Sequence, residues 1–106
     1  MTGMILGAAR RQIAIVLDGF ISTAAAAIAC GLAPAVRPFL FAGHRSQEPG
    51  HRVLLAHLEI EPILDLDMRL GEGSGAVLAM PVLEAAMRLY QEMATFASAG
   101  VSEATP

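Results

Sequence analysis

The densest glycine cluster in the chain encloses a single carboxylate, Glu72, in the string LGEGSG at positions 70–75. Glycine lets the backbone approach a ligand closely and adopt conformations that other residues avoid. A carboxylate between two glycines is unshielded on its own side and could be aimed as a base at a small planar substrate. The alternative is an exposed glutamate in an ordinary turn ahead of a helix. The G-x-G-x-G spacing does not match the dinucleotide-binding fingerprint.

A second polar segment, HRSQEPGH at positions 44–51, contains a serine and two histidines. Ser46 and the amides that follow it can lie at a helix N-terminus, where N–H groups and the helix dipole favour an anion such as phosphate. The alternative is an ordinary N-cap serine. His44 lies near the end of a predicted strand, where it could contact a ligand. We expect His51 and His57 to be solvated or core-edge residues on one helix.

Asp18 ends an apolar run and stands directly before Gly19. It could bind a ligand hydroxyl or orient another catalytic group, and it could equally cap the helix that follows. The single cysteine, Cys30, has no metal-ligand neighbour, and we expect a buried structural thiol in a reducing cytoplasm. No histidine forms a metal-binding spacing with it. The sequence therefore predicts neither a metal site nor a bound cofactor.

Strand and helix patterns alternate along the chain. Two uninterrupted apolar runs, 12–17 and 39–42, predict strands that are buried on both faces. The predicted helices cover 1–9, 22–33, 51–58 (starting as early as Gln47) and 76–97, with a polar loop at 44–50, an irregular segment at 59–70 and a frayed tail from Gly100. This alternation predicts the α/β class, as a Rossmann-like parallel sheet flanked by helices.

The predicted sheet would gather the polar residues at one edge. In open parallel sheets, ligands bind outside the carboxyl ends of the strands. Asp18 follows the first predicted strand, and Ser46 lies shortly after the second. We therefore expect the two strands to be parallel neighbours, with Asp18, Ser46 and Glu72 converging at one end of the sheet.

The composition is rich in apolar residues and poor in charge, with 55 % hydrophobic and 16 % charged residues. We expect some apolar faces to be covered by further chain or by a partner subunit, although alanine, which tolerates exposure, also raises the count. A net charge of -3 and 5 % aromatic residues argue against nucleic-acid binding. The longest apolar stretch, 20–36, is interrupted by Gly31 and Pro34, so neither a membrane span nor a signal peptide is predicted.

Three strings carry a resemblance to a known family: VLDGFISTAAAAIAC, HRSQEPGH and LAHLEIEPILDLDMRLGEGSGAVLAMPVLEAA. Over residues 4–101 the chain resembles the C-terminal third of the nicotinate-nucleotide:dimethylbenzimidazole phosphoribosyltransferases. The resemblance implies transfer of phosphoribose from nicotinate mononucleotide to 5,6-dimethylbenzimidazole. The products would be α-ribazole 5′-phosphate and nicotinate, in the synthesis of the lower ligand of cobalamin. It also implies a homodimer for the full-length family.

The same resemblance implies roles for particular residues. Glu72, in LGEGSG, matches the general base of the family, and Ser46, in HRS, matches a phosphate contact. Leu70 and Gly71 would line the base pocket beside Glu72. Asp18, in the string DGF, matches a further active-site carboxylate.

One departure from the family pattern bears on activity. Family members are much longer, and their glycine-rich nucleotide-binding segment, with a glutamate of its own, lies upstream of the region that resembles this chain. We therefore expect residues 1–106 to form the C-terminal part of a larger domain and to carry half of an active site, which could be inactive alone. The alternatives are a non-catalytic remnant that serves as an interaction or dimerisation module, and a generic nucleotide-binding α/β domain.

Overall fold

A computed structural model describes residues 1–101 of the chain. The helices and strands, in chain order, are α1 (Thr2–Arg10), β1 (Ile15–Leu17), α2 (Phe20–Leu32), a 3-10 helix (Pro34–Phe39), β2 (Leu40–His44), α3 (Pro49–Leu58), β3 (Pro62–Leu64), α4 (Ser74–Glu92) and α5 (Phe96–Ala99). The frayed tail predicted from Gly100 lies largely outside the described residues.

Within residues 1–101, the strands form a three-stranded parallel sheet in the order β1-β2-β3. Ile15 pairs with Leu40 and Leu17 with Ala42, while His44 on β2 pairs with Leu64 on β3. The α/β class and the parallel pairing of the first two predicted strands are thus confirmed. Parallel pairing brings the carboxyl ends of all three strands to one edge.

The prediction of an irregular segment at 59–70 is wrong in part, because β3 lies within it. Pro62 is its first residue, and a proline without an N–H group is tolerated at the start of an edge strand. The strand is only three residues long, so its apolar run is too short to signal a strand. The first strand is also shorter than predicted, because Gln12 has a left-handed φ of 59° and residues 11–13 close the end of α1.

The last predicted helix, 76–97, is two helices in the structure. α4 begins two residues earlier, at Ser74, and ends at Glu92, after which Met93 is extended. Thr95 then starts α5 through a capping box, in which Thr95 and Ser98 bond to each other's backbone N–H groups. This local pairing of side chain and backbone separates the two helices.

The core lies between α1, α2 and the sheet. Its buried residues are Ile5, Ala9, Leu17, Ala26, Ala29, Cys30, Val36, Leu40 and Leu58. The three alanines among them are small and let the helices approach the strands closely. Cys30 is buried as predicted, and burial raises the pKa of its thiol while nearby Arg37 partly offsets this. The thiol therefore remains protonated and packs as a small apolar group.

α4 covers the sheet only through its first turns. Its buried residues are Gly75, Ala76 and Ala79. Large apolar side chains on the helix, and Met93 directly after it, are exposed: Val77, Leu78, Met80, Val82, Met87, Leu89, Tyr90 and Met93. These side chains thus have no cover within the described part of the chain. Across residues 1–101, no helix combines the length and the hydropathy needed to cross a membrane.

Candidate active site

An open cavity of about 500 Å³ lies at the carboxyl ends of the strands. Asp18, Ser46 and Glu72 all line it, so their predicted convergence at one end of the sheet is confirmed. His44 and Gly71 also line the cavity, and Phe20 and Ile21 form an apolar pair in it. The remaining lining residues are Met1, Gly19, Ser22, Glu48 and Arg69. Segments that are distant in sequence thus meet around one space.

Asp18 caps the N-terminus of α4. Its Oδ2 accepts a hydrogen bond from the Gly73 amide at 3.2 Å, and its Oδ1 accepts from the amides of Gly75 at 2.9 Å and Ala76 at 3.2 Å. A carboxylate satisfies the otherwise unpaired first N–H groups of a helix and interacts favourably with its dipole. The expectation that Asp18 caps the following helix is thus wrong, because α2 receives no side-chain cap and Asp18 caps the distant α4 instead.

The loop that carries Glu72 has an unusual backbone. Gly71 and Gly73 both have φ of 79°, and Glu72 between them has φ of 57°. The left-handed conformation costs a residue with a side chain about 1 kcal/mol, so the surrounding contacts must hold Glu72 in place. Gly71 accepts hydrogen bonds from the amide and the hydroxyl of Ser74, at 3.1 and 2.8 Å. The Asp18 contact to Gly73 fixes the other side of the loop.

Glu72 itself is free of such contacts. Its side chain is exposed at the cavity, and no donor among the described residues reaches its carboxylate. Asp18 and Glu72, two of the three carboxylates that line the cavity, are therefore in different states, since Asp18 is bound to backbone amides and Glu72 is available to a ligand.

His44 packs between Asp18 and α4. Its ring is buried, with 2 % exposure, and its Nε2 lies 3.7 Å from Asp18 Oδ1. A methyl group at Gly75 would overlap this ring, and one at Gly43 would lie 2.9 Å from Ala76 Cα. Both glycines are needed because β2 and the first turn of α4 are almost in backbone contact. Within residues 1–101, no protein group bonds the buried His44 Nδ1.

The segment around Ser46 corrects one expectation. The Ser46 amide donates to His51 Nδ1 at 2.9 Å, the Gln47 amide donates to Met68 O at 3.2 Å, and the Glu48 amide donates to Ser46 Oγ at 3.2 Å. The amides of Gln47 and Glu48, the first two after Ser46, are therefore not free to bind phosphate, because protein acceptors already occupy them. The Ser46 hydroxyl proton remains available to a ligand.

The expectation that His51 is solvated or at the core edge is also wrong. It is fully buried, with 0 % exposure, and bonds to Ser46 and to Thr23 Oγ1, the latter at 3.0 Å. Burial lowers the pKa of His51, and the neighbouring His44 lowers it further. The spacing to Leu55 and Leu58, both buried on α3, places His51 on the inward face and could have indicated this. His57 is exposed, as expected.

Leu70 and Arg69, directly before the glycine cluster, differ in whether they line the cavity. Leu70 is expected in the base pocket, but it is 73 % exposed and does not line the cavity. Its neighbour Arg69 lines the cavity instead and brings a guanidinium group that no sequence pattern singled out. Within the described ranges, no group of three His, Cys, Asp or Glu side chains could hold a metal ion.

The parallel sheet places this chain in the α/β class, with a cavity at the carboxyl ends of its strands. A family model described as a phosphoribosyltransferase matches residues 1–101, and the chain belongs to that family.

The relatives within this family share one enzyme name. The chain is 59 % identical over 103 residues to the nicotinate-nucleotide–dimethylbenzimidazole phosphoribosyltransferase of Dehalococcoides mccartyi strain BAV1, and 58 % identical to that of Chloroflexus aurantiacus strain J-10-fl. Each match covers 97 % of this chain and 29 % of the relative. A crystal structure of the Thermus thermophilus enzyme matches with a TM-score of 0.89 and 53 % identity, over 97 % of this chain and 31 % of that one. The resemblance stated from the sequence is thereby confirmed, and the chain spans under a third of the length of these relatives.

Proposed function

We propose that this chain supplies one half of the active site of a phosphoribosyltransferase that acts in cobalamin synthesis. In this proposal, phosphoribose passes from nicotinate mononucleotide to 5,6-dimethylbenzimidazole, giving α-ribazole 5′-phosphate and nicotinate. The names of the relatives support the substrates. The observation that carries the proposal is the meeting of Ser46 and Glu72 at one cavity, with Glu72 on a loop that Asp18 anchors.

Glu72 is proposed as the general base. The unprotonated nitrogen of benzimidazole attacks C1′ of the ribose, and the bond from C1′ to the nicotinate nitrogen breaks with its electron pair returning to the pyridine ring. The other benzimidazole nitrogen then loses its proton, which a carboxylate held beside it can accept. Glu72 suits this role because its oxygens are exposed to the cavity and have no donor within residues 1–101.

Asp18 is proposed as a positioning residue for Glu72. Three backbone N–H groups point at its two oxygens, so little acceptor capacity is left for a substrate proton. This distinguishes it from Glu72 and agrees with one of the roles considered from the sequence, the orientation of another catalytic group.

The remaining lining divides into a polar and an apolar side. Ser46 is proposed to donate its hydroxyl proton to the phosphate of the nucleotide, with the Arg69 guanidinium as a nearby positive charge. Phe20 and Ile21 offer an apolar wall to a planar base, and His44 contacts ligand from the end of β2. Leu70 and Gly71 are proposed to complete the base pocket when further chain covers the exposed Leu70 side chain.

We infer that residues 1–106 form the C-terminal part of the large domain of such an enzyme. The proposed enzyme is a cytoplasmic homodimer in its full-length form. The share of the relatives that the chain spans, together with the uncovered apolar side chains of α4, supports the need for the remaining part. The same exposed helix favours the second candidate function, an interaction or dimerisation module without catalysis.

A fusion with a relative tests the proposal. The part of the Dehalococcoides mccartyi enzyme that precedes the matching region is joined to this chain, and α-ribazole 5′-phosphate is measured from nicotinate mononucleotide and 5,6-dimethylbenzimidazole. We expect product from the fusion and none from either part alone. A correctly folded fusion that binds both substrates and forms no product would favour the interaction module.

A further inference from the structure

We propose that His51 is a positioning residue that fixes Ser46 through a neutral ring protonated at Nε2. The role of Ser46 toward phosphate rests on the proposed function, whereas the arrangement of His51 does not. The observation is a continuous chain of hydrogen bonds from Ser46 through His51 and Thr23 to the backbone of Gly19.

The donors and acceptors in this series of hydrogen bonds determine the tautomer of the His51 ring. The Ser46 N–H can only donate, so His51 Nδ1 at 2.9 Å must accept and carries no proton. The neutral ring then holds its proton at Nε2 and donates it to Thr23 Oγ1 at 3.0 Å. The Thr23 hydroxyl donates in turn to Gly19 O at 2.7 Å. Each group has one consistent role, and a doubly protonated ring would place two donors opposite each other at Ser46.

The surroundings of the ring agree with the neutral form. His51 and Thr23 are both fully buried, which disfavours a charged imidazolium. The titratable groups that face the ring are His44, whose ring centroid lies 6.3 Å away, Arg45 and Asp18. Burial first, and then His44 and Arg45, lower the pKa of His51, while Asp18 acts in the opposite direction.

This chain of bonds has a consequence for the cavity. With its amide held by His51 and its Oγ accepting from the Glu48 amide, Ser46 has its hydroxyl proton left to donate. The series of hydrogen bonds ends at Gly19, the residue next to Asp18. The ring therefore ties the segment that holds Ser46 to the strand end that holds Asp18, so the two sides of the cavity keep a fixed spacing.

The direct test needs no substitution and no ligand. The ¹⁵N shifts of the imidazole nitrogens of His51 are measured by NMR on the chain at pH 7.5. The proposal expects a neutral ring with the proton on Nε2. A proton on Nδ1, or on both nitrogens, would overturn it.

A matched pair of substitutions then separates positioning from packing. In His51→Asn the amide oxygen occupies the place of Nδ1 and can still accept from Ser46, whereas in His51→Gln the amide reaches the place of Nε2 and serves only Thr23. We expect Ser46 amide exchange to be about tenfold faster in the glutamine variant, an effect of about 1.4 kcal/mol, and little changed in the asparagine variant. Equal effects of the two substitutions would show that His51 only fills space. His57→Gln, on the exposed face of the same helix, is the control.

The pH profile gives a further readout in the unmodified chain. Protonation of Nδ1 at low pH removes the acceptor for the Ser46 amide, so protection of this amide relative to that of Leu55 should fall at acid pH. Because burial lowers the pKa of His51, we expect this fall only below the ordinary imidazole pKa of about 6.5, with protection fully kept above it. His51→Asn should abolish this dependence, and its persistence in that variant would contradict the inference. An inactive fusion enzyme would overturn the proposed transferase function and leave these ligand-free results unaffected.

Discussion

Three carboxylates, those of Asp18, Glu48 and Glu72, line the same cavity, and their hydrogen bonds differ. Asp18 is held by the amides of Gly73, Gly75 and Ala76, whereas no donor within residues 1–101 reaches the side chain of Glu48 or Glu72. The distribution of N–H donors therefore disfavours Asp18 as a base, because a proton acceptor needs a free lone pair directed at the substrate. The choice of Glu72 over Glu48 rests on the resemblance of the LGEGSG string to the family's base.

Ser46 provides a test at the scale of a single residue. In the active fusion, Ser46→Ala removes the hydroxyl proton proposed to bind phosphate, and the dissociation constant for nicotinate mononucleotide should rise by a factor that corresponds to about 1 kcal/mol, the usual worth of one hydrogen bond. Isothermal titration of the fusion with the nucleotide measures this, and Ser98→Ala on the exposed α5 is the control. An unchanged dissociation constant would remove Ser46 from the phosphate site.

At the scale of elements, the site is made by the approach of α4 to the ends of β1 and β2. Gly43 and Gly75 allow this approach, and Asp18 binds the first turn of the helix. The loop with Glu72 therefore takes its place from a residue more than fifty positions earlier in the chain. Catalytic geometry and the stability of this helix end should then respond together to changes at Asp18.

Asp18→Asn tests this coupling. The substitution removes the charge that faces the helix dipole and turns one acceptor into a donor opposite a backbone N–H, so the free energy of unfolding should fall by about 1 to 2 kcal/mol. Turnover of the fusion should fall as well, because Glu72 loses its anchor. Thermal unfolding and product formation measure the two effects.

The comparison variant is Asp65→Asn, which removes an exposed ion pair with Arg45 that is worth little. If Asp18→Asn proved as stable as this control, the cap on α4 would not contribute as described.

Two of the three strands and the position of the cavity could be predicted from the sequence, whereas β3 and the long-range hydrogen bonds could not. The apolar runs at β1 and β2 are signals that need no tertiary information, and the polar residues after them identified the cavity. β3 escaped prediction because it is only three residues long and its first residue is a proline. The bonds from Asp18 to α4 and from His51 to Thr23 could not be foreseen, because each spans more than 25 residues of sequence and forms only after the chain has folded.

At the scale of the whole molecule, the chain has an exposed apolar surface and spans 29 % of its relative from Dehalococcoides mccartyi. The surface is formed by large apolar side chains of α4 from Val77 onward and by Met93 directly after the helix. Exposed apolar patches of this kind mark interaction surfaces. The cavity is also open, which agrees with the proposal that further chain completes both the surface and the site.

The isolated chain should therefore self-associate or bind an apolar dye. Light scattering and dye fluorescence test this, and replacing Met87 and Leu89 by glutamine should reduce both signals because these exposed side chains lie on α4. A monodisperse monomer with a cooperative thermal transition and no dye binding would contradict the expectation of uncovered faces.

The central claim, that Glu72 accepts the proton of the attacking base, is tested most directly in the fusion enzyme. Glu72→Gln keeps the size and hydrogen-bonding shape of the side chain but removes the basic oxygen, so turnover with 5,6-dimethylbenzimidazole should fall by about two to four orders of magnitude, while affinity for nicotinate mononucleotide changes little. Glu84→Gln, at an exposed position on α4, should leave turnover as it was. Near-normal turnover of Glu72→Gln from pH 6 to pH 9, a range chosen to bracket neutrality, would contradict the claim and return this glutamate to the status of a turn residue.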